Sequence, residues 1–303
     1  MKRKVIQLAH RTLVVSLPSP WAKKYNIKKG DELEVDESEK NITYSTTGLK
    51  EEGIINLNLN GSAEFMKRRI GVAYKKGFDE VHINFEDDKT INLIQEEIKK
   101  LVGFEITHHS NKNCTIKNIA DTLESEFDTM LRRIFVMLLE FSEESLNTIK
   151  QKDFNKLEQL KLAEETNDKF TDLCKRIINK KGYHKSKNAN FMYCILWNLE
   201  KIADQYENIC NLLEHKPNSF SLKKETLDLF QDVNVFLRNF YELFYKFSEE
   251  EGNKLTRMKN NLNSNSNKLL LKASKEDLQI IYYLKNTIGL IYDLTGPFYA
   301  MNL

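Results

Sequence analysis

Two pairs of acids share one spacing. Glu164 and Asp168 stand in "EETND", and Glu200 and Asp204 stand in "LEKIAD". Residues four apart lie on one helix face, and carboxylate oxygens favour hard cations. Four carboxylates converging from two neighbouring helices repel one another unless a cation sits among them. Acid pairs at this spacing also occur on solvated helix faces, so a cation site and two wet surfaces both stand as readings. A second group of charges lies at the start of the chain. Lys2, Arg3, Lys4, Arg11, Lys23, Lys24, Lys28 and Lys29 precede Gly30 without one Asp or Glu, while the whole 303-residue chain has a formal charge of only +2. Positive charge focused on one small unit is what binding a phosphate backbone requires, although lysine clusters also decorate ordinary surfaces.

Other chemistries find no support in the residues. No nucleophile motif and no phosphate-cradling glycine-rich loop occurs, and no His stands near the acids to form the Glu-x-x-His pairs of a bundle oxidase. The expectation is a protein that is not an enzyme. Cys114, Cys174, Cys194 and Cys210 lack CxxC spacing, and the last three read as reduced, buried small hydrophobes. No apolar run approaches the roughly 20 residues that span a bilayer, and no signal-peptide stretch follows the charged start. A cytoplasmic protein without membrane insertion is expected.

The basic cluster needs elements to hold it. Arg3 to Leu8 and Thr12 to Leu17 read as strands rich in β-branched residues, joined through Ala9-His10-Arg11. Ser19 as N-cap and Pro20 at the first helical position open a short helix to about Tyr25. Gly30-Asp31 turns the chain into Glu32 to Val35, and Asn41 to Tyr44 follows. The order is ββαββ, in a unit that buries little surface alone and so calls for a partner chain.

"TLVVSLPSPWAKKYNIKKGDELEV" resembles the AbrB/SpoVT/MazE-type swapped-hairpin DNA-binding domain. The resemblance rests on Leu17-Pro18, the helix ending in Tyr25-Asn26-Ile27, and Lys29-Gly30-Asp31 before an alternating strand, and it covers residues 2–46. It implies an intertwined homodimer that meets duplex DNA, with Arg3, Lys4, His10 and Arg11 as the foremost contacts and Lys23 and Lys24 behind them. The chain departs from the bacterial pattern at Ala9-His10-Arg11, where a glycine often precedes the arginine.

Residues 49–118 alternate strand and helix signals in the order βαβαββ, a small α+β connecting domain. Lys67, Arg68, Arg69, Lys75 and Lys76 read as a solvated helix surface, and His108-His109 as surface too. From residue 119 the apolar spacing changes to threes and fours, as in Leu123, Phe127, Met130, Ile134, Met137 and Phe141, and again from Phe191 through Leu213. Such stripes put one helix face into a bundle. Breaks at Gly182-Tyr183, His215 to Ser219 and Asn260 to Asn267 divide residues 119–303 into six helices, grouped three and three.

"EETNDKFTDLCKRII" and "LEKIADQYENICNLL" resemble the second and third helices of the PhoU family's three-helix unit. On this resemblance the chain reads as an archaeal-type PhoU-like phosphate uptake regulator, with an AbrB/SpoVT/MazE-like domain at 1–48 and an all-α bundle of two three-helix units at 119–303. The resemblance implies that Glu164, Asp168, Glu200 and Asp204 hold a divalent or ferric ion (Fe, Zn, Mn or Mg), with Asp172 one turn further on. Lys285 and Gly289 replace the equivalent acids in the second unit. Two functions follow. One is a DNA-binding regulator of phosphate uptake with a sensing or docking bundle. The other is an adaptor that contacts a phosphate-transporter ATPase or a signalling kinase, its N-terminal domain serving only to dimerise.

Overall fold

The structure, a computed structural model, describes residues 2–8, 11–38, 41–46, 53–120, 126–183 and 188–302. The chain forms two compact units, Met1–Glu52 and Gly53–Leu303.

In the N-terminal unit β1 (Val5–Leu8) pairs antiparallel with β2 (Thr12–Val15), Val5 opposite Val15 and Leu8 opposite Thr12. After α1 (Ser19–Lys24), β3 (Leu33–Ser38) and β4 (Asn41–Thr46) form a second antiparallel hairpin. The expected ββαββ order is present, with one correction at the helix start. Pro18, not Ser19, is the N-cap residue, and no side chain caps the helix. Extended backbone at Pro18 starts the helix one residue earlier, and Pro20 still falls where its missing N–H has no role to fill. The helix closes through Asn26 at φ +51°, with Asn26 N–H donating to Lys23 O and Ile27 N–H to Ala22 O. This double closure satisfies carbonyls that the last turn leaves open. None of the described residues of this unit is buried. Val5, Ile6, Leu8, Leu13, Val15, Val35 and Ile42 are all at least 50% exposed. A unit with its apolar strand residues open has no core of its own.

The second unit begins as an α+β layer. β5 (Ile54–Leu59) and β6 (Glu80–Phe85) run parallel, connected by α2 (Ala63–Lys75). After α3 (Thr90–Ile98), β7 (Phe104–His109) and β8 (Asn113–Asn118) form a hairpin, and the sheet order is β5-β6-β8-β7. Alternate strand residues Leu57, Leu59, Val81, Ile83, Phe85 and Ile116 are buried, together with Met66, Ile70 and Tyr74 of α2 and Ile94 and Ile98 of α3. That period-two burial is what the alternating sequence dictates. His108 and His109 are exposed.

The helical body follows: α4 (Phe127–Gln151), α5 (Leu157–Lys181), α6 (Ala189–Leu213), α7 (Lys224–Tyr245), α8 (Glu249–Leu270), α9 (Lys275–Asp293) and α10 (Thr295–Asn302). α4, α5 and α6 pack on one another, as do α7, α8 and α9, and the two sets meet along α4–α7 and α6–α9. Three expectations need correction. The Asn-Ser tract at 260–267 is no break but part of α8, because Ser248 caps that helix and Leu255, Leu262 and Ser266 are buried along it. Tertiary burial overrides the modest helix penalty of Asn and Ser. Phe191 and Cys194 face outward, since the inner face of α6 is taken by Met192, Ile195, Leu196 and Leu199. Beyond the six expected helices the chain closes with α10, whose Thr295 and Phe298 are buried. Leu123 lies outside the described residues.

The layer is fastened to the body by the second half of α5. Arg176, nearly buried, donates from Nη1 to Tyr74 O (2.9 Å) and Phe78 O (2.7 Å), and from Nη2 to Asp79 Oδ1 (2.7 Å). Lys180 reaches the same Asp79 oxygen at 2.6 Å, and Asn179 donates to Lys75 O at 2.7 Å. Backbone carbonyls at the end of α2 are thereby satisfied by side chains from another element. Among the described residues, no helix is long and apolar enough to cross a membrane.

Candidate functional site

Glu164 and Asp168 on α5 and Asp204 on α6 come together: one oxygen from each lies within 4.8 Å of the others. The four-residue spacing stacks Glu164 over Asp168, and antiparallel packing of α5 on α6 brings Asp204 beside them. Glu164 is buried, and Asp168 Oδ1 and the neighbouring Asn167 Oδ1 are buried without a hydrogen-bond partner among the described residues. Burial above all, then the Glu164 charge, pushes the Asp168 carboxyl pKa up to about 9. Burial, then the charge of Glu207, pushes Glu164 up to about 7. The two carboxyls face each other closely enough that each raises or lowers the other, and both stand above the usual carboxylate range. Protonation relieves like charges that water does not screen.

Glu200 does not join this trio. It pairs with Lys175, whose side chain is fully buried on α5 and also reaches Asp172 Oδ1 at 3.3 Å. Asp172 in turn holds Lys75 of α2 at 2.9 Å. A buried ammonium must be paired, and Lys175 takes Glu200, whose charge still bears on Asp168. Asp204 is contacted from its exposed side by Lys201 at 2.5 Å. Glu207, one turn beyond Asp204, adds its charge to Glu164, and its three-residue spacing from Asp204 is the signal in the sequence that marks it. Nothing in the sequence marks Asn167, whose unpartnered Oδ1 follows from burial alone.

A hard cation takes carboxylate oxygens at roughly 2.0–2.6 Å, so two ligands of one ion lie no more than about 5 Å apart. The oxygens of Glu164, Asp168 and Asp204 meet that limit, and burial raises the pKa of Glu164 and Asp168. The donor set fits a hard cation held by three carboxylates.

The basic residues lie on open elements of the N-terminal unit. Arg3 and Lys4 precede β1, Arg11 lies in the turn just before β2, and Lys23 and Lys24 end α1; all five are exposed. His10 lies outside the described residues. Lys24 also sits over the Tyr25 ring at 4.9 Å. Lys28 N–H donates to Asp31 Oδ2 at 2.7 Å, and Gly30 takes φ +99°, which fixes the turn that ends the basic stretch.

Residues 6–43 match the family model described as "Antidote-toxin recognition MazE, bacterial antitoxin". No curated protein and no solved structure matches the chain.

Proposed function

We propose that this chain is a DNA-binding transcription regulator that controls phosphate uptake, in which a dimeric N-terminal unit meets duplex DNA and the helical body senses or docks. The observation that carries the reading is the MazE-family match at 6–43, on a unit whose apolar strand residues are open and whose cations are exposed. A second copy pairing through those strands supplies the missing core and doubles the basic face. The helical body is read as PhoU-like on the two motif-bearing helices, and its acidic trio as a site for a divalent or ferric ion. Glu164, Asp168 and Asp204 would hold the ion through their carboxylate oxygens, with the Lys175–Glu200 pair beside them. No reaction is assigned to any of these residues.

Duplex binding is tested by fluorescence anisotropy across a salt series. Arg3→Ala, Lys4→Ala and Arg11→Ala together should weaken binding, and each lost phosphate contact should reduce the salt slope by about one. Unchanged affinity in the triple variant leaves the adaptor reading, in which the N-terminal unit only dimerises. Elemental analysis of protein prepared without chelator tests the ion: absence of metal, with no thermal shift on adding iron, zinc, manganese or magnesium, returns the acids to solvated surface.

A further inference from the structure

We propose that the groove between α2 and α6 binds a nucleoside phosphate, with the base stacked on Trp197 and Tyr193 and the phosphate held by Arg68 and Lys76. The groove belongs to the second unit, in which α5 fastens its two walls together, and it has a volume of about 520 Å³. That is within the usual range for small-molecule sites, which combine flat apolar surface with a few placed polar groups.

The α6 wall supplies the flat surface. Trp197 is 46% exposed, unusual for an indole beside a packed core, and its ring stacks with Tyr193 at 6.5 Å between centroids and 26° between planes. The buried Lys175 ammonium lies 5.1 Å from the Trp197 ring centroid. A cation held there steadies the indole from within, so the aromatic pair is set in place before any ligand arrives. Every nucleobase has a π-face, and stacking on such a platform tolerates any base.

The α2 wall supplies the charge. Of the cations around the groove, Lys75 is engaged by Asp172 and Lys201 by Asp204, while Glu200 is engaged by Lys175. Arg68 and Lys76, eight residues and about 12 Å apart along the helix, remain exposed, and neither makes an ion pair among the described residues. A guanidinium fork and an ammonium near an aromatic surface are the groups that take phosphate oxygens. Two acids, Glu64 and Glu97, also line the groove. A bare oxyanion would use the cations and leave the aromatic pair idle; a nucleoside phosphate engages both.

The test is calorimetric titration of the full chain, in EDTA and low salt, with AMP, ATP and inorganic phosphate. One nucleotide per chain is expected, with phosphate at least tenfold weaker. Trp197→Ala should lose affinity roughly ten- to a hundredfold, and Trp197→Phe should recover most of it, which separates stacking from damage to the fold. Arg68→Ala and Lys76→Ala should each weaken binding and flatten its salt dependence. The Arg3, Lys4 and Arg11 triple variant should bind nucleotide as the parent does, so the outcome is independent of the DNA reading. Phosphate binding as tightly as AMP, a Trp197→Ala variant equal to the parent, or no heat with either nucleotide at millimolar concentration overturns the proposal.

Discussion

Replacing Arg176 by methionine tests how the α+β layer is held to the helical body. Methionine keeps the apolar stem and removes every donor. Tyr74 O retains the Gly77 N–H at 2.9 Å, and Asp79 retains Lys180 at 2.6 Å, so neither is orphaned. Phe78 O, half-buried, loses the Arg176 donor, which costs up to about 1–3 kcal/mol. The charge-assisted bond to Asp79 contributes roughly 1.5–3 kcal/mol. The guanidinium also lies 5.0 Å from the Tyr74 ring and 5.1 Å from the Phe104 ring, rings that themselves meet edge to face at 4.9 Å. Losing those contacts adds about 1 kcal/mol. The terms are not additive in full, and about 3–5 kcal/mol is the expected loss. Native-state hydrogen exchange reads it directly, because amides of α2 report opening of the layer while amides of α6 and α7 report the body. Protection along α2 should fall by roughly two to three and a half orders of magnitude, with α7 less affected. Arg176→Lys, which keeps the charge but not the fork, should lose about half as much free energy. A fall of less than about tenfold along α2 in Arg176→Met refutes the assignment of Arg176 as the fastening residue.

Two further outcomes are expected. In chelator-treated protein, Asp168 and Glu164 hold protons in the folded state up to about 9 and about 7, while the unfolded chain releases them near pH 4. Between those limits the unfolded state binds fewer protons, so stability falls as pH rises from 4 towards 9. Urea denaturation of Asp168→Asn should show a gain of about 1–3 kcal/mol at pH 8 that vanishes at pH 4; an equal gain at both would mean that charge is not the cause. In the body, Tyr206 OH donates to Asn234 Oδ1 at 2.9 Å, and Asn234 Nδ2 donates to Ser142 O at 2.8 Å, tying α6 to α7 and α4. Tyr206→Phe leaves a buried acceptor unmet and should cost about 1–3 kcal/mol in thermal or urea unfolding, whereas no change would mean that water replaces the hydroxyl.

Local chemistry was legible wherever one element decides the outcome. The ββαββ order, the alternating strands at 54–59 and 80–85 and the stripes of α4 and α6 follow from periodicity and turn residues, because backbone preference and one-sided burial act over a few residues. The four-residue spacing that stacks Glu164 over Asp168 is of the same kind. The sequence also determines that the basic stretch ends at Gly30, since only glycine reaches φ +99° without strain. Tertiary structure alone decided the rest. Whether Glu200 faces Asp168 or Lys175 depends on how α5 lies against α6, and the buried ammonium of Lys175 has no signature in a chain full of exposed lysines. Nor does spacing distinguish Arg176, fixed on Tyr74 O and Phe78 O from about a hundred residues away, from any other cation on a helix. Asn260 to Asn267 read as a break because local propensity disfavours helix there, and the packing of α8 reversed it by burying Leu255, Leu262 and Ser266. Pairings between distant elements carry no periodic signal, since their energy comes from desolvation and geometry that exist only once the helices have packed.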